Sequence, residues 1–89
     1  MSKTFNLIIV SPERIVYQGE VNSLTVPCES GYLGVLVDHA PLLANLTSGK
    51  ISLKFEASPA INFDYQGRGF LEVLNNNASL LLSNAIQSS

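Results

Sequence analysis

Apolar and polar residues alternate along much of this chain with a period of two. Ile51, Leu53 and Phe55 are interleaved with Ser52, Lys54 and Glu56, and Ile61, Phe63 and Tyr65 with Asn62, Asp64 and Gln66. A strand sends successive side chains to opposite faces, so both stretches predict strands with one face buried and one in water. Ala57-Ser58-Pro59-Ala60 between them reads as a hairpin-type connection. Leu24 and Val26 alternate with Ser23 and Thr25 in the same way, which predicts a strand from Val21 to Val26 closed by Pro27. The contiguous Leu7-Ile8-Ile9-Val10 predicts a strand from Phe5 to Val10 with apolar neighbours on both faces, ended by Ser11-Pro12. Arg14 to Tyr17 continues after that turn, and Gln18-Gly19-Glu20 reads as a turn or bulge. Tyr32 to Val37, Phe70 to Leu74 and Ser79 to Ser83 are further strands, and Leu42 to Leu46 one more strand or turn. Asn75-Asn76-Asn77 is a turn whose residues tolerate left-handed backbone. No segment sustains a 3.6-residue apolar period. Short strands with turn signals about every eight to twelve residues predict an all-β sandwich or barrel in a single domain, with a fraying tail at the end.

The richest stretch runs from Glu29 to Leu43: Glu29-Ser30-Gly31-Tyr32-Leu33-Gly34-Val35-Leu36-Val37-Asp38-His39-Ala40-Pro41-Leu42-Leu43. Gly31 and Gly34 can take positive φ without steric cost, so the backbone can reverse on either side of Tyr32 and Leu33. Pro41 fixes its own φ and pushes Ala40 towards an extended conformation. His39 and Leu42-Leu43 are therefore expected at a shaped corner at the end of a strand, where side chains can face a partner in fixed geometry.

Composition narrows the function. Charged residues are only 13% of the chain, against an ordinary 46% apolar. A free-standing small domain normally needs more charge than this for solubility. Either a partner covers part of the surface, since interface cores are poor in charge, or Ser, Asn, Gln and Thr cover the outside. The net charge of −2, with Lys3, Arg14, Lys50, Lys54 and Arg68 scattered, leaves no basic stripe for nucleic acid. The single cysteine, Cys28, excludes an internal disulfide and argues against a protein-only zinc site. No apolar run approaches the ~20 residues of a membrane span, so direct membrane insertion is not expected. Met1-Ser2-Lys3-Thr4-Phe5-Asn6 lacks the apolar core of a signal peptide.

Catalytic chemistry finds little to stand on. His39 is the sole imidazole, and nothing flanking Cys28 or the serines resembles a nucleophile site. Asp38, Asp64, Glu29 and Glu72 form no spaced pair. Gly31-Tyr32-Leu33-Gly34 and Gly67-Arg68-Gly69 are too short to cradle a phosphate, which also needs a following helix. No catalytic, metal or cofactor-binding residue is assigned. Tyr32-Leu33 and Leu42-Leu43, apolar groups beside turns, point to recognition instead.

Taken together, several short motifs stand in the order and spacing of one family: Ser11-Pro12-Glu13-Arg14, Gly19-Glu20-Val21, Val26-Pro27, Gly34-Val35-Leu36, His39-Ala40-Pro41-Leu42-Leu43, Gly49-Lys50-Ile51 and Gly69-Phe70-Leu71-Glu72-Val73. Over nearly all of residues 4 to 85 the chain closely resembles the N-terminal β-sandwich domain of the epsilon subunit of bacterial-type F-type ATP synthase. The resemblance implies an all-β, two-layer β-sandwich of about eight to ten short, mostly antiparallel strands over residues 1–85, with residues 86–89 as a short tail. Family members usually carry Pro-Gly before the histidine. Here the pair is Val37-Asp38, which makes a left-handed turn costlier and is expected to reshape the corner. Where Tyr32 stands an acidic residue is common, and an aromatic there keeps contact area while removing charge. Most of the family continues into a C-terminal helical hairpin, which in some members binds ATP. This chain stops at Ser89, so no ATP binding is expected of it.

By the same resemblance, the expected function is that of a non-catalytic rotor part in the central stalk. It would join the gamma subunit to the c-ring at the cytoplasmic face of a bacterial inner membrane, as part of the F1 sector. The resemblance implies Glu29, Tyr32, Leu33 and His39 on the c-ring side, and Leu42, Leu43 and Asn45 on the gamma side. The competing reading is a free-standing β-sandwich interaction module, a stable monomer with a closed, polar surface. A third, a small hydrolase using His39, requires a nucleophile within hydrogen-bond reach of the imidazole.

Overall fold

The alternation is carried through into strands with a dry and a wet side; the computed structural model describes residues 3–86. Nine strands follow one another: β1 (Phe5–Val10), β2 (Ile15–Val21), β3 (Ser23–Cys28), β4 (Gly31–Leu36), β5 (Leu42–Leu46), β6 (Gly49–Lys54), β7 (Ile61–Tyr65), β8 (Gly69–Leu74) and β9 (Asn77–Leu82). The described residues contain no helix. One layer has the order β2-β1-β9-β8-β5, the other β4-β3-β6-β7, and the pair Cys28↔Leu46 joins them into one curled sheet. Every pairing is antiparallel except β1 with β9. This is the mostly antiparallel, two-layer arrangement expected.

The two inner faces meet in one core. Phe5, Leu7, Ile9, Leu71, Val73, Ala78, Leu80 and Leu82 of the first layer face Leu24, Val26, Val35, Ile51, Leu53 and Tyr65 of the second, all buried. Each large aliphatic side chain fully withdrawn from water contributes about 1.5–3 kcal/mol, so this interior is what holds the layers together. Tyr65 is the polar exception. Its hydroxyl donates to the Arg68 carbonyl and accepts the Ser83 and Asn84 N–H groups, each at 3.1 Å, which ties the end of β9 to the end of β7.

Several boundaries differ from the sequence reading. Gln18-Gly19-Glu20 is no turn: Gly19 pairs with Leu7 inside β2, and the irregularity lies across the ladder at Ile9/Val10. The chain bends at Asn22, so Val21 ends β2 and β3 starts afresh. Asn22 holds that bend, its Nδ2 donating to the Lys3 carbonyl at 3.0 Å and its Oδ1 accepting the Glu56 N–H at 2.7 Å. Pro27 does not close β3 but lies within it, opposite Tyr32. Its missing N–H is tolerated because that backbone faces away from β4, where its carbonyl accepts the Thr47 N–H at 3.0 Å. Gly34 pairs with Thr25 as ordinary strand, whereas Gly31 does take positive φ, at 120°. The Asn75-Asn76 turn forms as expected, with φ of 50° and 60°. That is the geometry of a two-residue type I′ hairpin loop.

Candidate partner-binding surfaces

The turn at Glu29-Ser30, the start of β4 and the length of β5 bound one groove. It is lined by Glu29, Tyr32, Leu33, Leu42, Leu43 and Asn45 among others. The residues expected on two different sides thus converge. Glu29, Tyr32 and Leu33 share this groove with Leu42, Leu43 and Asn45, while His39 stands apart in the turn after β4. Alternation then divides them. Leu33 and Leu42 are half-buried and pack against the core, while Tyr32 and Leu43, each 63% exposed, face water. Tyr32 is nonetheless fixed in place, because its hydroxyl accepts the Lys50 N–H at 3.1 Å. The strand passing beneath it leaves no room for a side chain. A Cβ on Gly49 would lie 2.6 Å from Pro27 Cβ and 2.9 Å from the Tyr32 hydroxyl.

The corner after β4 keeps a left-handed residue despite carrying Asp38, whose φ is 63°. Its cost, about 1–2 kcal/mol for an L-residue, is opposed by a reciprocal pair of hydrogen bonds. The Asp38 N–H donates to Asn76 Oδ1 at 2.7 Å, and Asn76 Nδ2 donates to Asp38 Oδ1 at 2.8 Å. The β4–β5 corner is thereby clamped to the β8–β9 hairpin. His39 closes the turn, its N–H donating to the Leu36 carbonyl at 3.2 Å. The ring's Nδ1 lies 2.7 Å from the Ala40 carbonyl. A carbonyl only accepts, so Nδ1 carries the proton and the imidazole is committed to its own corner. Cys28 is half-buried, and burial pushes its thiol up from the ordinary value, away from the thiolate a nucleophile needs. Among the described residues no group of three or more His, Cys, Asp and Glu could hold a metal ion.

A second surface was not anticipated. On the outer face of the first layer, Ile15, Val10, Leu81 and Phe70 stand opposite one another in consecutive strands, and Asn45 pairs with Phe70 at the end of the row. Ile15 is 53% exposed, Leu81 51% and Phe70 38%, with Leu43 and Leu74 exposed on the same face. The signal was present in Leu80-Leu81-Leu82. A period of two can place only alternate members of an apolar run in the core, and the middle one must look outward.

This sandwich matches known proteins. A family model described as the β-sandwich domain of the ATP synthase delta/epsilon chain matches residues 4–88. The chain belongs to that family. An ATP synthase epsilon chain from Chlorobaculum tepidum is 44% identical over 79 residues, 89% of each chain. One from Leptospira borgpetersenii is 42% identical over 76 residues, which cover 85% of this chain and 58% of the relative. This member of the delta/epsilon family therefore spans nearly the whole of one relative and little over half of another. Its fold recurs in a chain of the Euglena gracilis mitochondrial ATP synthase OSCP/F1/c-ring structure, with a TM-score of 0.86 at 17% identity, covering 97% of this chain and 55% of that one. It recurs again in the central stalk/c-ring structure from Tetrahymena thermophila, with a TM-score of 0.76 at 14% identity, covering 89% of this chain and 63% of that one.

Proposed function

We propose that this chain is a non-catalytic central-stalk (rotor) subunit of the F1 part of a proton-translocating ATP synthase, joining the gamma subunit to the c-ring. It would act at the cytoplasmic face of a bacterial inner membrane. The observation that carries the reading is the apolar row Ile15–Val10–Leu81–Phe70 on an outer sheet face. Apolar side chains aligned across four strands, with Ile15, Leu81 and Phe70 exposed and Val10 half-buried among them, are what a partner's apolar surface covers. The row ends at Asn45, with Leu43 on the same face, so it extends the gamma side already proposed for Leu42, Leu43 and Asn45. The ring side, with Glu29, Tyr32, Leu33 and His39, lies along β4 and its two flanking turns. A sandwich held by cross-strand ladders and a close-packed core suits this role, because it bears lateral load between two neighbours with little deformation.

The test is co-purification. The wild-type chain is expected to hold gamma in a reconstituted stalk. Phe70→Glu and Leu81→Glu are expected to lose it while the isolated chain keeps its strand signal. A wild-type chain that fails to bind gamma ends the reading. Variants that bind normally move the gamma side elsewhere.

A further inference from the structure

Three segments far apart in sequence meet at the end of the sandwich where β4 finishes, away from the Glu29 turn at which it starts. Asn22 joins them. Its N–H donates to the Lys54 carbonyl at 2.9 Å, its Nδ2 donates to the Lys3 carbonyl at 3.0 Å, and its Oδ1 accepts the Glu56 N–H at 2.7 Å. The backbones of Lys3 and Lys54 are therefore held by two nitrogens of one residue. Two of the chain's three lysines are fixed beside each other in this way, although the chain as a whole carries a net charge of −2. Among the described residues neither ammonium has a carboxylate partner.

The surface beside these cations is apolar. Leu36, the last residue of β4, is 62% exposed. Val37 and Phe55 follow β4 and β6, turn inward by alternation and pack half-buried against the core. With Lys3, Asn22, Lys54 and Glu56 they line an open hollow of about 570 Å³. That lies within the about 300–1,000 Å³ of small-molecule sites, which combine an apolar lining with a few placed polar groups. The lysine stems add to the apolar wall while their heads reach water. Two cations against the single carboxylate of Glu56 leave the rim positive, and that excess suits a head with one negative charge.

We propose that this hollow binds a small amphipathic anion, a single acyl chain with a carboxylate head. The chain lies on Leu36, Val37 and Phe55, and the head sits between the Lys3 and Lys54 ammonium groups. Withdrawal of the acyl chain from water supplies the affinity, and the charges set orientation and selectivity. The apolar row of Ile15, Leu81 and Phe70 lies on the outer face of the first layer, so binding in the hollow does not depend on the rotor role.

Laurate, titrated into the chain well below its micelle-forming concentration and followed by amide NMR, tests this. The amides of Asn22, Leu36, Val37, Phe55 and Glu56 are expected to shift together along one saturating curve. Exposed ion pairs are individually weak, so Lys3→Gln and Lys54→Gln should each weaken laurate about threefold, and about tenfold when combined. Lys50→Gln makes the same charge change outside the hollow and should leave the affinity within about twofold. Dodecyltrimethylammonium, with the same chain and the opposite head, should bind the hollow about tenfold more weakly than laurate. All three lysines are exposed, so these variants keep the fold. Shifts that gather instead at Ile15, Phe70 and Leu81 overturn the site. So does equal affinity for the two amphiphiles, or an equal loss from Lys50→Gln and Lys54→Gln. Phosphatidylglycerol vesicles that bind where free laurate does not would assign the lysines to a membrane surface and overturn it as well.

Discussion

Asp38 and Asn76 show how a locally unfavourable residue is kept in a fold. Both sit at positive φ, 63° and 60°, and each supplies a hydrogen bond to the other across two turns remote in sequence. Asn76→Ala removes both bonds and puts a less tolerant residue in the left-handed region. We expect a loss of about 1–3 kcal/mol in urea unfolding. Asp38→Gly loses the carboxylate that accepts from Asn76 Nδ2 but keeps the backbone N–H donor and relieves the backbone, and should change stability by less than about 1 kcal/mol. If Asn76→Ala is as mild as Asp38→Gly, the clamp contributes nothing. Tyr65 makes a second case. Removing its hydroxyl leaves the Ser83 and Asn84 N–H groups without their acceptor at the end of β9. Tyr65→Phe should therefore lower stability by about 1–3 kcal/mol, read from the urea midpoint, with core packing retained. Neither network was legible in the sequence. Each joins residues far apart along the chain, and nothing local to Asp38 or Tyr65 names its partner.

At the scale of single elements, the alternation carries most of the information. Ile51, Leu53 and Tyr65 lie in the core as their spacing predicts, because burial on a pleated sheet depends on position modulo two. Boundaries were less legible where pairing with a distant strand overrides local preference. Gly19 looks like a turn residue yet is held extended opposite Leu7, and Pro27 looks like a terminator yet stands where its N–H is not required. The candidate site was legible as a stretch but not as a geometry. Glu29 to Leu43 was singled out, and a groove is there, but nothing local says that β4 and β5 bound it together. The same alternation separates neighbours that look equivalent in sequence. Leu42 is half-buried against the core and Leu43 is 63% exposed. Leu42→Asp would place a carboxylate against apolar side chains and should lose about 2 kcal/mol or more in denaturant unfolding. Leu43→Asp should stay within about 0.5 kcal/mol of wild type. Equal losses from the two would mean that β5 does not present its faces as described.

As a whole the molecule is two-sided, and this asymmetry decides how it should bind. The outer face of the second layer is polar across β3, β6 and β7, with Thr25, Ser52 and Asn62 aligned and Ser52 donating to Asn62 Oδ1 at 2.7 Å, while Tyr32 and Leu36 stand exposed on its edge strand β4. The outer face of the first layer carries the apolar row. A chain with only 13% charged residues and a net charge of −2 has little long-range field with which to steer a partner. The association proposed through Ile15, Val10, Leu81 and Phe70 should be governed by apolar area withdrawn from water. Two signatures distinguish that from an electrostatic contact. Added salt screens charge pairs but leaves hydrophobic burial intact or strengthens it, and burial of apolar surface gives a negative heat-capacity change. Titration calorimetry of the chain against gamma should therefore show an affinity that changes less than about threefold between low and high salt, with a binding enthalpy that grows more negative on warming. A fall in affinity of tenfold or more with salt would mean that the contact is made by charges on this face such as Glu20 and Glu72, and that the apolar row is not what gamma covers.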